Sequence, residues 1–424
     1  MFVDNNFFRA NILMIILAHT SESEYCALGN ETCACNQLAE IHMDCVNEQM
    51  QMPVQLDFAE LASFTNKAIR LTIQNKWIAS IRVSTIENVF VAKVASLTMR
   101  NCKIKEIERD SFRGLVSLLV LSLLQTDIEI VKHDSFDHLN QLNTLILYSR
   151  KTCLLPRGLF KLLTNLNLLY LNKNEIEDTE TDAFDSLSNL KELVLSSNKI
   201  GRIQSGLFKN LSNLEILYLD RNEIVSIAID SFESLSGLHE LYLNLNQIKS
   251  LQNGLFKSMS DLQVLYLDRN DIGEVETKLF QFCVNLVELY LYSNRLSTIQ
   301  NDLFQKTTRL QILWLHENEI AEIEARSFDS LVVLEELYLN SNKIQAVQEG
   351  LFEKLKALKA LYLHANEIAK IAVDSFEFLT NLTVLTLNSN KIKLIKVASK
   401  RNSRNRNECI RRAGQPERVD FKCE

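Results

Sequence analysis

Apolar positions in this chain recur on a fixed lattice. Between residues 166 and 392 the pattern L-x-x-L-x-L-x-x-N-x-I/L returns every 24 residues, and Leu190, Leu193, Leu195, Asn198 and Ile200 form one clean copy. The asparagines are Asn174, Asn198, Asn222, Asn246, Asn270, Asn294, Asn318, Asn342, Asn366 and Asn390. Ten residues beyond an Asn comes Phe, from Phe184 to Phe376, and the series extends back through Phe160 and Phe136 to Phe112. The x-Leu-x-Leu alternation predicts a short strand with its leucines turned inward. One such strand cannot bury that face, but a stack of them can. The pattern therefore predicts about fourteen stacked repeats between residues 56 and 397.

The polar positions explain how the chain turns. Only 10 Gly and 3 Pro occur in 424 residues, too few to mark a turn in every repeat. The Asn stands where the chain leaves the strand. A buried amide there can bond free backbone groups of its own and adjacent turns, so the backbone bends without Gly. Phe at the far side is expected to stack on its neighbours and fill the wide end of each wedge. Upstream the lattice continues with altered ladder residues, Cys102, Thr126 and Arg150, while Ile107, Phe112, Leu115, Leu118, Leu121 and Leu123 keep register. One copy further back, at Leu71 and Ile73, fits only with a spacing of about 26. A charged Arg150 should loosen its turn, which predicts irregularity around residues 126–155.

The repeat L-x-x-L-x-L-x-x-N/C-x-L resembles the leucine-rich repeat family in its 24-residue extracellular form, over about four fifths of the chain. The resemblance implies a curved solenoid of the α/β class with a parallel sheet on its concave side. It is similar to Toll-type ectodomains and to secreted insect immune or adhesion proteins. The cluster Cys26, Cys33, Cys35 and Cys45 resembles the family's cysteine-rich N-terminal cap. That likeness implies bonds Cys26–Cys35 and Cys33–Cys45. The wider first spacing sets it apart from the small proteoglycans. Cys409 and Cys423 form the remaining candidate pair in a less typical C-terminal flank. The implied organisation is a signal peptide at 1–20, a cap at 21–55, the array at 56–397 and a basic flank at 398–424. The apolar run at residues 12–18 behind Arg9 carries the signal reading, with a greasy cytosolic leader as the alternative.

Binding residues are sought on the concave rows. The residue between the last two strand leucines points out of the inner sheet. It reads Tyr170, Val194, Tyr218, Tyr242, Tyr266, Tyr290, Trp314, Tyr338, Tyr362 and Thr386. Beside it Glu192, Glu240, Glu288 and Glu336 recur every 48 residues, which indicates duplication of a two-repeat unit. A third row holds Asp220, Tyr292, His316, Asn340 and His364, with Arg221 and Arg269 adjacent. Exposed aromatic rows mark interaction surfaces, and Tyr and Trp are enriched at binding hot spots. The alternative is that Tyr simply suits strand positions and was copied by duplication. Trp314, which departs from the copied Tyr, is the best single anchor.

Charge and composition narrow the partners. Net charge is −7, which disfavours nucleic acid. The expected partner is an extracellular protein. Residues 391–412 carry nine Lys or Arg against Glu408 alone, so they form either a glycosaminoglycan-binding segment or a solvated end. Asn30, Asn210 and Asn381 lie in N-glycosylation sequons off the concave rows. Cys283 falls at a core position, and Cys153 is the candidate for a homo- or hetero-dimer bond. Mosquito leucine-rich immune proteins are joined by such bonds, but they carry coiled-coil segments that this chain lacks after residue 397. No stretch approaches about 20 apolar residues, so no membrane span is expected. P-loop, H-E-x-x-H and G-x-S-x-G signatures are absent, and His316 and His364 lie too far apart to share a zinc ion. The chain reads as a binding protein with no cofactor, not an enzyme.

Overall fold

The computed structural model describes residues 94–392 apart from 110, 150–154 and 178, residues 69–82, and the backbone of four short strands between residues 24 and 57. The expected disulfides, Cys153, Asn30, the signal peptide and residues 393–424 lie outside the side chains described.

The lattice builds a parallel β-solenoid. Strands Glu24–Leu28 and Glu31–Asn36 pair antiparallel, Ile41–Val46 joins them antiparallel, and Ile69–Gln74 then starts the parallel run. From Val120 the partners step by one period each time, through Thr144, Leu168 and Glu192 to Val384. This regular part makes about twelve turns. Two earlier steps are longer: His42 pairs with Arg70, and Arg70 pairs with Ser96 after a register shift at Ile69, the latter being the longer spacing that the apolar pattern indicated at Leu71. Among the described residues the convex side contains no helix. It is made of turns and two-residue strands, which pair Arg202–Ile203 with Ser226–Ile227, Ser250–Leu251 with Glu274–Val275, Thr298–Ile299 with Glu322–Ile323, and Ala346–Val347 with Lys370–Ile371. Turns are thus joined in twos, the same two-repeat unit that the concave Glu spacing shows.

Each turn from Asn174 to Asn390 is closed by its asparagine. Asn270 Nδ2 donates to the Leu267 carbonyl at 3.1 Å in its own turn and to the Leu243 carbonyl at 3.0 Å in the turn before. Its Oδ1 accepts from the Ile248 N–H at 3.0 Å. One buried amide therefore satisfies three backbone groups that no strand pairing reaches. The same set recurs from Asn198 to Asn390. Cys102 serves the ladder as a weak donor, with Sγ 3.6 Å from the Ile73 carbonyl and 3.4 Å from that of Arg100.

At the Arg150 turn the ladder slips by one residue instead of breaking. Pairing shifts register between Leu147 and Ser149. The Ser149 hydroxyl accepts from the Ile128 N–H at 3.1 Å, the bond that an Asn oxygen makes elsewhere. Asn174 Oδ1 in turn accepts from the Ser149 N–H at 2.8 Å.

The residue before each ladder position takes the left-handed conformation, and it is never Gly. Lys173, Ser197, Arg221, Leu245, Arg269, Ser293, Glu317, Ser341, Ala365 and Ser389 have φ between 52° and 58°. Such a conformation costs an L-residue about 1–2 kcal/mol, so the ladder bonds must hold it. On the convex side the chain does use glycine. Gly158, Gly206, Gly254 and Gly350 adopt positive φ in alternate turns.

The core lies between the two faces. Phe112 to Phe352 are fully buried, and with Phe376 they stack continuously at centroid distances from 6.0 to 6.5 Å. The concave tyrosines stack as close as 4.2 Å. Each turn is therefore a wedge, wide at its Phe, and the array curves toward the tyrosines. Cys283 is buried in this core and its thiol is pushed up to about 12 by burial. Cys102 is the other free cysteine among the described residues, and burial raises it too.

Two stability predictions follow from the ladder. Asn270→Ala leaves the Ile248 N–H unpaired and takes one of two amide donors from each of the Leu243 and Leu267 carbonyls, which keep Asn246 and Asn294. At about 1–3 kcal/mol for the orphaned N–H and about 1 kcal/mol for each lost bond, the loss should reach about 3–5 kcal/mol in urea unfolding. Ala365, exposed at φ 52°, keeps its backbone bond to the Asn388 carbonyl when replaced. Ala365→Gly should raise the unfolding free energy by about 0.5–1 kcal/mol, because relief of strain exceeds the added chain entropy; a lowered value would show that the left-handed site is unstrained.

Candidate functional site: the concave aromatic face

Strand pleating sends alternate side chains out of the inner sheet. It places the expected rows on the concave side in adjacent turns. Tyr218, Tyr242, Tyr266 and Tyr290 stack face to face at 4.4, 4.7 and 4.3 Å. Tyr338 and Tyr362 form a second stack at 4.2 Å. Trp314 interrupts the column: it meets Tyr290 edge-on at 4.9 Å and 87°, and Tyr338 at 4.9 Å and 50°. Stacking changes what the row offers to a partner. The rings cover one another, so they are half-buried, and Tyr290 is only 7% exposed.

The Glu row is tied to the tyrosines. The Tyr242 hydroxyl donates to Glu240 Oε2 and that of Tyr290 to Glu288 Oε2, each at 2.6 Å. Burial, then the neighbouring carboxylate, drives these phenols far above their ordinary range. Tyr266 is pushed up to about 12, chiefly by burial. Glu192 is raised as well, first by burial and then by Glu240. Glu240 and Glu288 are thus parts of the stack, not free acidic contacts.

The third row carries the unpaired chemistry. Tyr292 stacks on His316 at 4.5 Å, and both lie within 5.9 Å of Trp314. Trp314 Nε1, His316 Nδ1 and Asn340 Oδ1 are buried without a hydrogen-bond partner among the described residues. Burial holds His316 below its ordinary value, against the pull of Glu317. His364 Nδ1 lies 2.8 Å from the Thr386 hydroxyl, which joins it to the next turn.

Two members of this row were missed in the sequence, although the lattice defines them. Asn244 and Asp268 occupy the same position, and Asn244 Oδ1 and Asp268 Oδ1 are also buried and unpartnered. Asp268 is 1% exposed. Its carboxyl is pushed up to about 6 by burial, with the Tyr292 hydroxyl and Arg269 pulling it back and Asp220 adding repulsion. Asp220, in contrast, is paired to the Ser196 hydroxyl and lies 3.6 Å from Arg221. Arg269 reaches over the Tyr292 ring at 5.7 Å.

The outward rows carry Glu192, Glu240, Glu288, Glu336, Asp220, Asp268 and Glu317 against Lys173, Arg221 and Arg269. Among the described residues no group of three or more His, Cys, Asp or Glu side chains is placed to hold a metal ion, and no helix is long and apolar enough to cross a membrane. The sequons at Asn210 and Asn381 are exposed, and the Asn210 amide already donates to the Asp185 carbonyl at 2.9 Å.

Comparison with known proteins agrees with this architecture. The leucine rich repeat model matches residues 92–149 and, in overlapping copies, 154–392. The chain belongs to the leucine-rich repeat family. Among solved structures it is similar to TLR13 in complex with ssRNA13, at 22% identity and a TM-score of 0.68, covering 84% of this chain and 55% of that one. It is also similar to a leucine-rich repeat protein of Leptospira interrogans, at 23% identity and a TM-score of 0.64, covering 83% and 89% of the two chains. Drosophila Toll, solved with Spätzle, matches at 19% identity and a TM-score of 0.54, covering 90% and 67%. The chain thus spans about half the length of the TLR13 chain it matches. A search of curated proteins finds no relative of this sequence.

Asp268 supplies a test of the buried row. Its protonated form is favoured in the fold, so its contribution to stability is full below the unfolded value near 3.8 and falls as pH rises toward 6. Asp268→Asn should therefore be more stable than the parent at pH 8 by on the order of 2 kcal/mol. The gap should close below pH 4, as read by urea unfolding at both values. A constant gap would show that the carboxylate is already satisfied.

Proposed function

We propose that the chain is a non-enzymatic recognition module that binds a protein partner through its concave face. The observation that carries this reading is the break in the aromatic column at Trp314. There five rings from three turns meet beside buried polar atoms with no hydrogen-bond partner among the described residues. Buried polar groups are normally paired, and unpaired ones beside aromatic anchors suit a surface that a ligand completes. The similarity to Toll and TLR13 supports recognition over catalysis. It also supports an extracellular setting and a role in innate immunity or cell-surface recognition. The ssRNA ligand belongs to TLR13; the excess of acids on the concave rows here favours a protein over a nucleic acid.

Tyr290 is buried in the stack, so the test falls on Trp314 and His316. The variant Trp314→Ala with His316→Ala removes the two unpaired ring nitrogens and leaves both tyrosine stacks in place. Used as bait in extracellular fluid, it should lose the partner that the parent chain captures, with an unchanged far-UV spectrum. Equal capture by both chains would remove the concave face from the interaction. The alternative, an extracellular matrix component that binds glycosaminoglycan through the basic residues 391–412, would instead show binding that collapses between low and physiological salt.

A further inference from the structure

The third row also indicates what kind of partner group the face receives. From Asn244 through Asp268, Tyr292 and His316 to Asn340, the row crosses five successive turns. At the usual strand separation this is roughly 19 Å. Three of the unpaired atoms along it are oxygens, Asn244 Oδ1, Asp268 Oδ1 and Asn340 Oδ1. All three call for hydrogen-bond donors. Asp268 is buried as deeply as a core leucine, yet one of its carboxylate oxygens has no partner, while its equivalent Asp220 is paired. A carboxylate in that state costs stability, and a chain that only needed to fold would be better served by Asn. The ring beside it already accommodates a guanidinium, since Arg269 lies over Tyr292 at 5.7 Å. Trp314 Nε1, further along, offers a donor to a carbonyl.

We infer that this row seats an extended segment of the partner protein, about six residues long, with an arginine directed at Asp268. The inference rests on the concave-face reading and adds the chemistry of the partner to it. An extended peptide advances about 3.3 Å per residue, which sets the length. The guanidinium supplies several donors in one plane to Asp268 and Asn244, and it packs against Tyr292. The segment's backbone meets Trp314 and Asn340. The acidic excess of the surrounding rows draws a basic segment in.

The experiment uses the full chain carrying Trp77→Phe, so that Trp314 is the sole tryptophan. Capped six-residue peptides bearing a central arginine, glutamine or glutamate are titrated while Trp314 emission is followed. The arginine peptide should saturate the signal at least tenfold below the glutamine peptide, and the glutamate peptide should not bind. Asp268→Asn should abolish the preference for arginine over glutamine without changing the far-UV spectrum. Equal binding of the arginine and glutamine peptides, or an arginine preference that survives Asp268→Asn, would overturn the inference. If no peptide binds while the Trp314→Ala, His316→Ala chain still loses its captured partner, the arginine assignment fails and the concave-face reading stands. If that chain also keeps its partner, both fail. Arginine-peptide binding that appears only after the basic residues between 391 and 412 are replaced by glutamine would assign the row to the chain's own segment, and so overturn a partner as its occupant.

Discussion

The fold depends on one side-chain amide used repeatedly. A solenoid turn must leave its strand, and when it does, a carbonyl and an N–H lose their ladder partners. The recurring Asn satisfies them from inside the core: Asn270 accepts from the Ile248 N–H and donates to the Leu243 and Leu267 carbonyls, which it shares with Asn246 and Asn294. Because two of its bonds reach the preceding turn, it also welds turns together. The left-handed residue before each Asn is a consequence. The amide can reach its partners only if the chain reverses sharply there, so even Leu245 and Arg269 adopt positive φ. The scarcity of glycine is the visible trace of this arrangement in the composition.

Spacing then passes from the ladder to the two faces. Parallel strands hold the concave side at close separation, while the buried Phe column at 6.0–6.5 Å holds the convex side open. Tyrosines placed one per turn on the tight side have no choice but to stack. That makes the Tyr column a structural element as much as a surface. It leaves Trp314 and the polar row as the places where the inner face is incomplete. The same neighbours that bury Asp268 also raise its carboxyl, so the cost of that residue and its use have one origin.

Much of this was legible in the residues. The period, the Asn ladder, the Phe column and the longer spacing at Leu71 all follow from position counting, because identical residues repeat where identical contacts repeat. Legibility failed where the contact persists but the residue changes. Ser149 replaces the missing Asn at the Arg150 turn through a one-residue slip, which no pattern of identities reveals. Asn244 and Asp268 were passed over because their row varies in chemistry from turn to turn. The expected exposed aromatic row is half-buried, since exposure depends on how rings tilt and not on which rings occur. Glycines at Gly158, Gly206 and Gly254 make the convex turns in alternate repeats, so glycine was sparse but not idle.

The pairing of turns in twos gives the array parity. On the flank just after the ladder, Lys199 pairs with Glu175, Arg295 with Asp271, Lys343 with Glu319 and Lys391 with Glu367. Glutamates alternate with Ile216, Val264 and Ile312 on the concave side. Excising a single turn would set Arg295 beside Lys343 and two concave glutamates on adjacent strands, where like charges repel. Excising two turns would restore every sign. Changes of two turns therefore preserve the charge pattern of this solenoid where changes of one disturb it, and a partner surface that grows or shrinks with the array keeps its pattern in steps of two rungs.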